Sequence, residues 1–211
     1  MINIQKNQNE PHLLSQHKST PDPTYDNGPS GMIPEILESL IAEQCSLCCY
    51  CQQRITIDSA SVEHKLSRSK HPDKALDYGN MAGVCSCTEG LKKKRQYCDD
   101  FKQDKDFTFD LSNIEELIQY EPKTGVIKSE NPELNRQLNE VLNLNQEYLR
   151  TERTAIYNAM EQFVKSNAKK ADFKGIINKN IKKWESAIDG KKIAFCGVML
   201  YFLRKRYNRM K

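Results

Sequence analysis

Apolar positions set the first landmarks. Ile33, Ile36, Leu37, Leu40 and Ile41 recur at the i, i+3, i+4, i+7 spacing of an amphipathic helix, and Pro34 suits its first turn. Before it, residues 1–30 mix Asn, Gln, Ser and Pro without a period, which predicts a flexible arm with too little apolar surface to offset the entropy of ordering. After it, residues 45–106 read as CSLCCYCQQ, a β-prone run RITIDSASVEH, a basic loop KLSRSKHPDK, then LDYGNMAGVC and a polar stretch closing on CDDFK. Helical periodicity returns in LSNIEELIQY, in LNRQLNEVLNLNQEYLRTERTAIYNAMEQFV and from Phe173 onward, while Gly125 marks a turn between short strands in EPKTGVI. The pattern predicts an α+β protein in three parts: an arm over 1–30, a compact unit over 31–110 and a mainly helical region over 111–211. No repeat of fixed period is present, so a solenoid is not expected.

The most apolar stretch, Ile193 to Leu203 (IAFCGVMLYFL), is about half the ~20 residues a membrane helix needs, so it is expected to be a buried helix. The polar first thirty residues lack the apolar core of a secretory signal, and the expectation is a cytoplasmic protein. The charge balance, 32 Lys and Arg against 28 Asp and Glu for a net +4, is too even to demand a polyanionic partner by itself.

Cysteine changes the picture. Seven of the eight cysteines fall between Cys45 and Cys98, and in a reducing compartment such clustering points to metal binding rather than disulfides. A unit of only about sixty residues also lacks the apolar surface to fold alone, a deficit that a structural metal can make good. Cys48 and Cys51 have the C-x2-C spacing that lets one tight turn fill two corners of a zinc tetrahedron. For the other two corners Cys85 and Cys98 are preferred, with Cys87 competing for the place of Cys85 and the Cys45/Cys48 pair competing with Cys48/Cys51. Cys45, Cys49 and Cys87 are then unligated, and Cys196, inside an apolar helix, is a core residue.

Between the two cysteine pairs stands Glu63-His64 at the end of the β-prone run, followed by Asn80 and, directly after Cys98, by Asp99 and Lys102. A neutral imidazole suits a general base near neutral pH, and carboxylate oxygens suit Mg²⁺ or Mn²⁺. His64 is therefore the candidate base, and Glu63 with Asp99 the candidate catalytic-metal ligands.

The order C-x2-C, acid-His, Asn, then C-(Asn/His/Asp)-x2-Lys resembles the HNH endonucleases of the ββα-metal type. More narrowly, QCSLCCYCQQRI, VEHKLSRSKHP, LDYGNMAGVC and YCDDFK are similar to the HNH nuclease subunit, PtuB, of Septu-type and retron-associated anti-phage systems, a likeness continued by LNLN at 142–145, Arg150, Arg153 and FCGVMLYFLRKR. Lys65, Ser67 and Gln103 depart from the usual family residues. The resemblance implies a small zinc-stapled ββα core and metal-dependent hydrolysis of phosphodiester bonds, DNA being favoured. It also implies that Asn80 holds the hairpin so that His64 stays in register, and that an ATPase partner of the PtuA type docks on the helical half. Arg68 and Lys70, in the basic loop after His64, and Lys102 are expected to contact nucleic-acid phosphates. The same site acting on RNA such as tRNA, or a zinc module that only binds nucleic acid or protein, are the competing expectations.

Overall fold

The structure, a computed structural model, describes residues 1–210. Helix α1 (His12–Lys18) lays Leu14 against α2 (Met32–Glu43). Helix α2 begins after Gly31, whose φ of 92° is a left-handed conformation open to glycine, and buries Ile36, Leu37 and Leu40 as the periodicity predicts. The chain then makes a tight knuckle. Cys45, Ser46 and Gln52 take positive φ, Leu47 bridges Arg54, and Cys48 N–H donates to Gln53 O at 2.8 Å.

The β-prone run becomes β1 (Ala60–His64), which pairs antiparallel with β2 (Met81–Cys85) in a register running from Ala60 opposite Cys85 to His64 opposite Met81. Short helix α3 (Asp99–Lys102) follows, tied to β1 through Lys102, whose Nζ donates to His64 O at 2.9 Å. Beyond it come α4 (Ile114–Leu117), the hairpin of β3 (Gln119–Tyr120) and β4 (Ile127–Lys128), α5 (Pro132–Arg136) running into a π-helical turn at Gln137–Val141, α6 (Glu147–Asn167), α7 (Phe173–Glu185) and α8 (Cys196–Asn208). Gly125, at the tip of the β3–β4 hairpin with φ of 65°, is required twice over: a Cβ there would lie 2.1 Å from Arg150 O.

The structure is thus mixed helix and small sheet, as expected, with four departures from the sequence reading. The long helical stretch 134–164 is broken at 142–146, where Asn143 takes φ of 49° and Gln146 caps α6. Helix α8 starts at Cys196 rather than Ile193, because Phe195 is left-handed. Its residues Cys196 to Leu200, Phe202 and Leu203 are buried, so this apolar segment is core and offers no docking surface.

The third departure is the arm. Residues 1–30, expected to be flexible, are packed: Met1, Ile2 and Ile4 are buried, Ile4 N–H donates to Leu111 O at 2.9 Å, and Leu14 is fully enclosed. A few well-spaced apolar anchors suffice because their partners lie far along the chain. Nor does the core divide at residue 110. One cluster holds Cys48, Val84 and Cys98 together with Leu111, Leu138, Leu149, Ile177 and Leu203.

Candidate metal centre and cleft

Four cysteines converge from three local structures. Cys48 and Cys51 come from the knuckle, Cys85 ends β2, and Cys98, at φ of 56°, turns the chain into α3. All four are buried and free of disulfides, and their sulfurs lie within 4.8 Å of one another. Cys48 Sγ is 3.9 Å from Cys98 Sγ, and Cys51 Sγ is 3.6 Å from Cys85 Sγ. A tetrahedron with Zn–S bonds of about 2.3 Å has edges of about 3.8 Å, so the spacing fits a tetrathiolate ion.

The protonation energetics agree. Burial pushes the Cys51 and Cys98 thiols up, and the neighbouring thiols, Cys48 foremost, do the same to Cys85. Burial opposes ionisation of Cys48 as well, but the thiols of Cys49, Cys51, Cys85 and Cys98 around it prevail and hold its pKa well below the ordinary value. The cage by itself therefore favours one thiolate, and a divalent cation would be needed to ionise all four. These four could hold a metal ion such as zinc, and they are the four the sequence selected. Cys87 lies outside the cage, exposed and 3.2 Å from Tyr97 Oη, and Cys196 is buried in α8.

An open cleft of about 690 Å³ is lined by Glu63 and His64 from β1, Arg68 from the following loop, Asp99 and Lys102 from α3, and Asp26 from the N-terminal segment. His64 is 7% exposed, and its Nε2 lies 2.9 Å from Ala75 O. A carbonyl can only accept, so Nε2 carries the hydrogen and Nδ1 keeps a lone pair. Burial lowers the His64 pKa against the opposing pull of the Ala75 bond, so the ring is neutral at neutral pH.

Glu63 is 2% exposed. Its Oε1 accepts from Tyr50 Oη at 2.8 Å and lies 3.0 Å from Lys102 Nζ, whereas Oε2 takes part in neither contact. Burial first, then the charge of Asp99, pushes the Glu63 pKa well above the usual carboxylate range despite Lys102. A buried Glu63 whose ionisation the neighbouring Asp99 charge opposes is a poor arrangement without a cation beside it and a good one with it.

A further placement corrects the sequence reading. Lys102, expected to meet nucleic-acid phosphate, is 2% exposed and turned inward, donating to His64 O at 2.9 Å and pairing with Glu63. Its charge looked like a surface charge because the carboxylate that explains its burial is far off in sequence. Lys70 is exposed but stands outside the cleft, 3.9 Å from Asp106.

Asn80 also lies off the cleft, at the end of the loop joining β1 to β2. Its Oδ1 accepts from Leu66 N–H at 2.8 Å, its Nδ2 donates to Leu66 O at 2.9 Å and Lys74 O at 3.2 Å, and its own carbonyl accepts from Lys65 N–H at 2.9 Å. It therefore clamps both ends of the loop that follows His64.

Three participants went unseen in the sequence: Tyr50, because a tyrosine among cysteines reads as core, and Tyr25 and Asp26, because the arm gave no structural signal. The sequence matches no family model, and no curated protein matches it.

Proposed function

We propose that the chain is a metal-dependent HNH-type endonuclease that hydrolyses phosphodiester bonds, DNA being the favoured substrate. The observation that carries this reading is the meeting of a neutral, half-engaged histidine with two carboxylates in one cleft, in a chain that also holds a four-cysteine cage. His64 Nδ1 takes a proton from the attacking water while Nε2 stays fixed on Ala75 O, so the ring cannot turn away. Water oxygen bonds to phosphorus, the P–O bond to the departing oxygen breaks, and solvent supplies that oxygen with its proton.

Glu63 and Asp99 hold Mg²⁺ or Mn²⁺, which when bound supplies positive charge to the scissile phosphate and the departing oxygen. Tyr50 and Lys102 pin Glu63 Oε1 so that Oε2 is the oxygen left for this task. Asn80 fixes the loop whose carbonyl at Ala75 orients His64. Cys48, Cys51, Cys85 and Cys98 would hold a structural Zn²⁺, which would fix Cys98 and hence Asp99 in place. The resemblance to the PtuB nuclease subunit adds the proposal that the chain works in anti-phage defence with an ATPase of the PtuA type.

Supercoiled plasmid DNA and total RNA, each incubated with and without Mn²⁺, test the activity. His64→Ala is expected to lower cleavage about 10²- to 10⁴-fold, the usual worth of a general base, with zinc content and folding unchanged. Cleavage by His64→Ala at the parent rate would refute the reading and leave a zinc module that only binds.

A further inference from the structure

Asp26 brings the segment 20–28 to one wall of the cleft, and the segment holds a defined conformation. Thr24 N–H donates to Asn27 Oδ1 at 2.8 Å, His17 Nε2 donates to Thr24 O at 2.8 Å, and Tyr25 packs on the cluster of Leu14, Met32 and Met81. From this loop the Tyr25 ring stands edge-on to the His64 imidazole, centroids 4.6 Å apart. The Arg68 guanidinium lies over the same tyrosine, 4.5 Å from its centroid, and donates through Nη1 to Asp26 Oδ1 at 2.7 Å. Asp26, Arg68, His64 and Asp99 share the cleft.

The arrangement of Arg68 has two properties that matter. Its guanidinium faces the cleft beside the candidate base, with its plane supported by an aromatic ring, which is how arginine is prepared for an oxyanion. Its present anion is weakly held: the Asp26 side chain is 82% exposed and that of Arg68 42%, and exposed ion pairs contribute little to stability. A carboxylate oxygen and a phosphodiester oxygen accept the same donors, so one replaces the other without rebuilding the site.

We propose that Arg68, backed by Tyr25, is a phosphate-binding subsite next to His64 that takes the phosphodiester of a nucleic-acid strand, and that Asp26 occupies it as an internal stand-in until the strand enters. This rests on the nuclease reading for the identity of the anion. Residues 20–28 are then a strap across the substrate path, and Asp26 sets a threshold that a strand must exceed.

The test uses the full chain and a fluorescent DNA duplex, with an RNA of the same length as a second probe, at low ionic strength without added Mg²⁺ or Mn²⁺ so that the probe stays uncut. Binding is read by anisotropy for the parent, Asp26→Asn, Arg68→Ala and the double variant. Asp26→Asn is expected to tighten binding about two- to fivefold, the range an exposed ion pair can supply. Arg68→Ala should weaken it, and the double variant should bind like Arg68→Ala alone. A gain that persists in the double variant would mean a general charge effect and overturn the proposal, as would unchanged binding by Asp26→Asn or no binding by any of the four.

Plasmid cleavage by the parent with Mn²⁺ is scored separately. The expected binding pattern without cleavage would keep the subsite and remove the nuclease, while cleavage without the pattern would do the reverse.

Discussion

Chelation gives the most quantitative test of the cysteine cage. Sulfur separations of 3.6 and 3.9 Å match the edge of a zinc tetrathiolate to within a few tenths of an ångström, so the folded chain is already shaped for the ion and the unfolded chain is not. Structural zinc sites of this kind contribute about 10–16 kcal/mol, as much as the whole folding free energy of an ordinary domain, about 5–15 kcal/mol. By linkage, while free zinc exceeds its Kd each tenfold fall lowers the unfolding free energy by about 1.4 kcal/mol. For a chain of 211 residues, where 1 kcal/mol moves the midpoint by about 2–4 °C, Tm should fall by about 3–6 °C per decade of free zinc. Differential scanning fluorimetry in zinc buffers spanning several decades measures this slope, and elemental analysis should return one zinc per chain. Cys98→Ser should flatten the slope and leave a chain of low Tm, whereas Cys196→Ser should keep the slope. A folded, metal-free chain whose Tm ignores free zinc would refute the reasoning.

Other expectations follow from single side chains. Arg153, 3% exposed, donates to Gly125 O and Leu144 O, each at 2.6 Å, so Arg153→Met should cost about 3 kcal/mol in urea unfolding by stranding both carbonyls. A loss near zero would show that those bonds are dispensable. Asn80→Ala removes the clamp on the loop after His64 and should cost about 1–3 kcal/mol, together with most of the cleavage activity, at unchanged zinc content; full activity would contradict its orienting role. Lys102→Met removes one of the two donors that hold Glu63 Oε1 and should raise the Mn²⁺ concentration needed for half-maximal cleavage about 10- to 100-fold. An unshifted Mn²⁺ titration would mean that Glu63 is not a ligand.

The parts of the site legible in the sequence are those whose chemistry is local. Cys48 and Cys51 share one turn, and Glu63 and His64 end one strand, so spacing was enough to pair them. The preference for Cys85 over Cys87 agrees with the structure, in which Cys85 closes β2 inside the core and Cys87 lies beyond the strand, exposed. What stayed hidden depends on distant partners. Lys102 is buried because of Glu63, the LNLN segment breaks its helix because Asn143 Nδ2 bonds Gln96 O at 2.7 Å and Asn145 bonds both Ile127 N and Ile127 O at 2.9 Å, and the arm is ordered because its few apolar residues meet α2 and Leu111. No periodicity announces such contacts.

The segment bearing Cys98, Asp99 and Lys102 is gripped from the helical half. Cys98 N–H donates to Leu142 O at 2.9 Å, Lys105 Nζ to Glu140 O at 2.7 Å and Thr108 N–H to Gln137 Oε1 at 3.0 Å, all around the π-helical turn. The consequence is one of inheritance as much as of stability. Residues beyond 110 cannot be exchanged as a cassette, because any replacement must reproduce the acceptors on which Cys98 and its neighbouring carboxylate rest, so the two halves of the chain are bound to change together.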